Sequence, residues 1–151
     1  MVRVRPFVSE DRAFVLSLAP RLAIGMQPWR NRDLWLATVE GWLTESIQQH
    51  GQKTMVWIAE NEAGERVGFA TVSQSTHFTG QPQAYIGELA TAETAEGHGV
   101  GSALVNACEQ WARAQGYTIL SLSTGAANAR ALQFYKHLGF QDEDVTLTKL
   151  I

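Results

Sequence analysis

The sequence predicts an α/β (α+β) fold built as a single domain over residues 1–151, with helices flanking a mixed central sheet. Three observations predict it. The 151 residues, 45% of them apolar, can bury one real core and are too few for two ordinary domains. Apolar residues alternate at period two in some segments and recur at three- and four-residue spacing in others, with no internal repeat. The order of these patterns is strand, two helices, three consecutive strands, helix, strand, helix, strand.

Residues 2 to 8, VRVRPFV, set Val2 and Val4 against Arg3 and Arg5, the period of a half-exposed strand. Ser9 with Glu10 and Asp11 supplies an N-cap and an acidic first turn for a helix carrying Phe14, Val15 and Leu18, closed by Pro20. From Asn31 to Gln49, Trp35, Val39, Trp42, Leu43 and Ile47 keep helical spacing. This predicts a second amphipathic helix, despite Gly41, with Trp35 and Trp42 in its core stripe and Gly51 as its stop. TMVWIAE and RVGFATVSQ follow as strands around NEAGE, where Asn61 and Gly64 suit a hairpin turn. AYIGELAT is the next strand, after the polar loop STHFTGQPQ.

A glycine-rich segment then opens a helix that runs through Ala114 and ends at Gly116, and the β-branched run YTILSLS reads as a buried strand. Asn128 caps a short helix, ARALQFYKHL, with Ala131, Phe134, Tyr135 and Leu138 on one face and Gly139 as its stop. DVTLTKLI is the predicted last strand.

Composition narrows the partners. A formal net charge of −3, with twelve Lys and Arg scattered along the chain, offers no basic surface to a polyphosphate backbone, so nucleic acid is not expected. Cys108 is the only cysteine, which excludes an internal disulfide and a cysteine zinc site and suits a reducing compartment. It falls on the inner stripe of its helix with Leu104, Val105 and Trp111, as a buried, inert thiol. His50, His77 and His137 form no pair at ligand spacing, so no metal is expected. The segment MVRVRPFVSEDR has no apolar h-region, and no stretch approaches the roughly 20 apolar residues of a membrane span. The expectation is a soluble, cytoplasmic protein without a membrane partner.

The segment AEGHGVGSALVNACEQWARAQG, residues 95 to 116, places Gly97, Gly99 and Gly101 where a strand passes into a helix. Helix N-terminal N–H groups with no Cβ atoms in the way seat an anion, so one reading is a phosphorylated ligand. A tight turn with close helix packing explains the same glycines. A P-loop is excluded because no Gly-Lys pair exists, and the dinucleotide fingerprint fails at Ser102, where its third glycine would fall.

The second motif, NARALQFYKHLGF at residues 128 to 140, decides between these readings. Together with EGHGVGSAL, its Asn, Phe-Tyr and Gly-Phe pattern resembles the GCN5-related N-acetyltransferase (GNAT) superfamily. The likeness is close over residues 85 to 140 and extends to the element order of the whole chain. It implies a mostly antiparallel sheet with a splayed strand pair that holds coenzyme A. It also implies an acetyl-CoA-dependent N-acetyltransferase that acts on a primary amine by direct attack in a ternary complex. The alternatives are an inactive acetyl-CoA-binding sensor or assembly domain and a Rossmann-type dinucleotide binder.

The resemblance assigns the pyrophosphate to the backbone of Gly97, His98, Gly99, Val100, Gly101 and Ser102, with Asn128 and Phe134 as further coenzyme contacts. It maps the pantetheine arm onto Leu89, Ala90 and Thr91, whose N–H groups suit an oxyanion site. Tyr135 takes the place of the general acid, and packing beside Phe134 is its other reading. Glu88, pointing opposite to Leu89, is the candidate base, directly or through a water, and a solvent-facing strand residue is its other reading. The glutamate that some members carry at the end of the next strand is here Ser123. Glu96 stands at the family's usual Gln/Arg position, where it either weakens coenzyme binding or turns toward the helix N-terminus.

The acceptor candidates lie outside the periodic runs. Trp29, flanked by Arg30 and Arg32, reads as an aromatic facing an acceptor with a carboxylate or a flat apolar group, and a surface aromatic packed against the first helix is its other reading; Phe78, in the loop before the third strand, is a similar candidate. The sequence leaves the acceptor's identity and a homodimer open.

Overall fold

Period-two segments need neighbours for their backbone groups, and five of them find each other here. In the computed structural model, which describes residues 1–151, β1 (Arg3–Pro6), β2 (Thr54–Glu60), β3 (Arg66–Thr76), β4 (Pro82–Thr91) and β5 (Leu120–Leu122) lie side by side in chain order. The first three pairings are antiparallel and β4 with β5 is parallel, so the sheet is mixed and mostly antiparallel. The helices are α1 (Arg12–Ser17), α2 (Arg32–Gln48), α3 (Val100–Ala114) and α4 (Ala129–His137).

Alternation divides the core between two faces. On one, Val56, Ile58, Phe69 and Ala90 pack against Val15 of α1 and Val39 and Leu43 of α2. On the other, Ala70, Val72, Ala84 and Ile86 pack against Leu104, Val105 and Cys108 of α3, and α4 joins through Phe134 and Tyr135. Phe69, Leu43 and Ile58 are fully buried, each worth about 2–3 kcal/mol of apolar transfer.

Two irregularities of β4 position the site. Val72 pairs with Ile86 but Thr71 pairs with Glu88, so Gly87 is an extra residue in β4. Such a bulge reverses the alternation beyond it. Ala84 and Ile86 accordingly belong to the α3 face, whereas Ala90 belongs to the α2 face. The second irregularity is a splay: β5 pairs with β4 only from Ala84 to Ile86, and β4 continues to Thr91 with that edge open.

Several elements depart from the sequence reading. Ser9–Asp11 forms a 3-10 turn, and α1 begins at Arg12. Asp11 leaves the first-turn role because its buried carboxylate accepts hydrogen bonds from Arg5, Arg66 and the Val8 N–H. YTILSLS contracts to Leu120–Leu122, half-buried, since only three residues meet β4. DVTLTKLI forms no strand: it alternates, but no strand pairs with it, and Val145, Leu147, Leu150 and Ile151 are exposed. No helix is long and apolar enough to cross a membrane.

Candidate active site

Where β4 and β5 part, a cavity of about 990 Å³ opens and receives side chains from both faces of the sheet. Its rim is the glycine loop before α3, which the sequence singled out.

In that loop Gly97 and Gly99 both have φ of 79°, the left-handed region, and a Cβ at either would meet nothing within 4 Å. Gly101 is different: a Cβ there would stand 3.0 Å from Cζ of Phe134, so this glycine lets α4 close on α3. The two readings of the triplet therefore divide between its members. The backbone N–H groups from Gly97 to Ser102 have no acceptor within the chain and point outward at the start of α3. This donor set fits an anionic group such as a pyrophosphate.

His98 is exposed and turns back on its own loop, its Nδ1 donating to the carbonyl of Glu96 at 2.9 Å. Glu96 lies between two guanidiniums, bonded to Arg21 and, at 2.7 Å, to Arg130. Its charge is neutralised by those two cations. Arg21 also donates to the Thr91 carbonyl at 3.2 Å, which ties the segment before α2 to the end of β4. Since the Thr91 carbonyl faces away from β3, alternation turns the peptide groups of Leu89 toward the open edge and those of Ala90 toward β3. Asn128 caps α4, its Oδ1 accepting from the Ala131 N–H at 3.2 Å, at the far wall of the cavity.

Glu88 owes its direction to the Gly87 bulge. It faces α2, opposite to Leu89, where Ser46 donates to its carboxylate at 3.3 Å. The Thr71 hydroxyl also donates to that carboxylate and accepts the Glu88 N–H at 3.0 Å. Glu88 is 7% exposed and lines the cavity, so it is not a solvent-facing strand residue. Burial raises its pKa above the ordinary glutamate value, against the two hydroxyl donors and with help from the Glu45 charge.

Tyr135 enters from the α3 face. Its ring lies tilted at 5.1 Å from Phe134 and edge-on at 5.7 Å from Phe140, and its hydroxyl has no hydrogen-bond partner within the chain. Burial first, then the neighbouring Cys108, pushes the phenol up to about 12, so it is protonated at neutral pH. Cys108 is itself fully buried, and burial pushes its thiol up to about 12.

The cavity does not gather the three acceptor candidates. Trp29, Arg30 and Phe78 are exposed and lie outside its wall. The cavity's aromatic lining is Tyr85, Phe134 and Tyr135 together with Trp35 and Trp42 of α2; Trp35 also packs against the core, as its helical stripe predicts, whereas Trp42 leaves it. Trp35 is held by an Nε1–H bond to the Leu22 carbonyl at 3.2 Å, and Trp42 is 56% exposed. A stripe shared with Val39 carried the signal, but spacing alone does not tell where a helix leaves the core and begins to roof a cavity. No cluster of His, Cys, Asp or Glu is placed to hold a metal ion.

Comparison with known proteins places the family and the fold. The sequence matches the model of the Acetyltransferase (GNAT) family over residues 21–140. The chain belongs to this family. Within the GNAT family it is 32% identical to N-acetyltransferase 8F1 of Rattus norvegicus over 131 residues, 85% of this chain and 57% of that protein. The chain thus spans about half the length of the curated relatives it matches. Its fold is shared with a putative acetyl transferase from Pyrococcus furiosus, at TM-score 0.78 and 21% identity over 100% of both chains. It is shared too with a predicted acetyltransferase from Clostridium acetobutylicum solved with acetyl-CoA, at TM-score 0.68 and 20% identity over 99% of this chain and 96% of that one.

Proposed function

We propose that the chain is an acetyl-CoA-dependent N-acetyltransferase that acts on a primary amine by direct transfer in a ternary complex. The observation that carries this reading is that Glu88 and Tyr135 meet one cavity beside a loop of unpaired N–H groups. Acetyl-CoA supplies the acyl group, activated as a thioester. The N–H groups from Gly97 to Ser102 seat its pyrophosphate, and the open edge of β4 receives the pantetheine arm.

On the acceptor side, Glu88 takes the proton that the amine must lose to attack, at a carboxylate already oriented by Thr71 and Ser46. The outward N–H of Leu89 is the donor available to the acyl oxygen as it gains charge. On the coenzyme side, the free hydroxyl of Tyr135 protonates the departing sulfur. Starting from the ammonium, a C–N bond forms, a C–S bond breaks, and the nitrogen gives up two protons, of which one ends on the thiol and the other leaves through Glu88 to solvent.

The test is calorimetric titration with acetyl-CoA, followed by free-thiol release across a panel of amines. Acceptor-dependent release is expected. No binding of acetyl-CoA to the folded protein overturns the reading, and binding without release from any acceptor favours a coenzyme sensor.

A further inference from the structure

The acceptor half of the cavity has a chemistry of its own. The segment before α2 contributes Leu22 and Ile24, and α2 contributes Trp35, Val39 and Trp42. Trp42 and Ile24 are 56% and 50% exposed although both line the cavity, so their apolar surface is presented rather than spent in the core. Trp35 is fixed by its bond to the Leu22 carbonyl, which makes this wall rigid.

Charge is scarce on the same wall. Four charged side chains line the cavity, and three of them cluster at the glycine loop, where Arg21 and Arg130 share the one carboxylate of Glu96. Glu88 is the fourth, and it alone faces the acceptor half. A ligand carboxylate or phosphate placed here would lose water, find no free cation and stand beside Glu88. A ligand with several ammonium groups would have one lining carboxylate to share among them, since Glu45 acts on Glu88 through its charge but does not line the cavity.

We infer that the acceptor is a small primary amine on an aromatic or alkyl body, without an acidic group and without further cationic groups. The ammonium approaches Glu88, and the body lies against the indoles of Trp35 and Trp42, whose faces suit flat or aliphatic groups. This inference rests on the transferase reading above. It makes Trp42 a specificity residue and leaves free amino acids, sugar phosphates and aminoglycosides as poor acceptors.

The experiment measures thiol release from acetyl-CoA with 2-phenylethylamine, tryptamine and hexylamine against phenylalanine, glucosamine 6-phosphate and kanamycin. The expected kcat/KM for 2-phenylethylamine exceeds that for phenylalanine by roughly 100-fold, the cost of an unpaired carboxylate in an apolar wall. Trp42→Ala should raise KM for 2-phenylethylamine about tenfold and leave KM for acetyl-CoA unchanged, whereas Trp42→Phe should restore most of the loss. Binding is read independently of turnover, as a change in tryptophan fluorescence when 2-phenylethylamine is added to protein saturated with coenzyme A.

Equal or better turnover of phenylalanine, glucosamine 6-phosphate or kanamycin overturns the acceptor class and leaves the transferase reading standing. So does coenzyme binding with neither turnover nor a fluorescence response to the three simple amines. Failure to bind acetyl-CoA in calorimetry overturns both.

Discussion

Glu88 and Tyr135 reach one cavity from opposite faces of the sheet, Glu88 from the α2 side through its bond to Ser46 and Tyr135 from the α3 side beside Phe140. The two proposed proton carriers are held by separate cores, so each can be altered without repacking the other.

For Glu88, replacement by Gln should lower kcat by about 10²–10³ with little change in acetyl-CoA affinity. In the parent protein, kcat/KM should fall with decreasing pH through a pKa above the ordinary glutamate value of about 4.3. The same shift has a stability consequence. A carboxyl whose folded pKa is raised loses stability as pH rises from the unfolded value through the folded one. Melting curves should therefore show Glu88→Gln gaining on the parent as pH is raised across that window.

Tyr135→Phe keeps the ring contacts with Phe134 and Phe140 and removes only the hydroxyl. It should reduce kcat about 10²-fold while calorimetry shows unchanged coenzyme binding. With the phenol pushed up to about 12, the parent should show no loss of activity from Tyr135 ionisation between neutral pH and pH 9. Loss of coenzyme affinity in place of rate would assign Tyr135 to packing.

Glu96→Ala tests whether that carboxylate repels coenzyme or orders the loop. Because Arg21 and Arg130 already neutralise it, the expected result is a several-fold weaker Kd for acetyl-CoA, through loss of the tie between the glycine loop and Arg21. A tighter Kd would show that repulsion dominates.

At Gly99 the left-handed backbone sets a limit on side chains. Gly99→Val should cost about 1–2 kcal/mol of stability in denaturant unfolding, and weaken coenzyme binding by misdirecting the loop N–H groups.

Away from the site, Asp11 anchors the N-terminal turn. Burial alone would raise its pKa, but bonds from Arg5, the Val8 N–H and Arg66 hold the carboxyl far below the usual range. Its contribution is thus present above an unfolded value of about 3.9 and lost as pH falls below it. Asp11→Asn should cost about 3 kcal/mol at neutral pH and flatten the acid side of the stability profile.

The sequence made legible what depends on local pattern. Asn31 and Asn128 cap their helices, the Asn61 turn joins β2 to β3, and the glycine loop opens α3. The less legible features depend on neighbours. DVTLTKLI has the alternation of a strand, but pairing requires a second strand that local pattern does not supply. Trp42 has the spacing of a core residue, but whether a stripe meets core or cavity is set by where β5 leaves β4. Glu88 could be placed on β4 by alternation, yet its burial and its contact with Ser46 follow from the register with β3, which one chain segment cannot announce.

Gly87 makes the orientation of the proposed base a matter of parity. Strand side chains have only two directions to choose between, so one residue more or less is enough to exchange them. Were Gly87 paired regularly opposite Thr71, without the bulge, Glu88 would fall on the side of Ile86 and Leu104 and the next residue, Leu89, would be delivered to Ser46, with no change in which amino acids the strand contains. A proton acceptor would become a buried charge and an oriented hydroxyl would face a leucine. The proposed chemistry of this strand thus depends on register as much as on composition, and a one-residue slip in its pairing is a more consequential change than most substitutions.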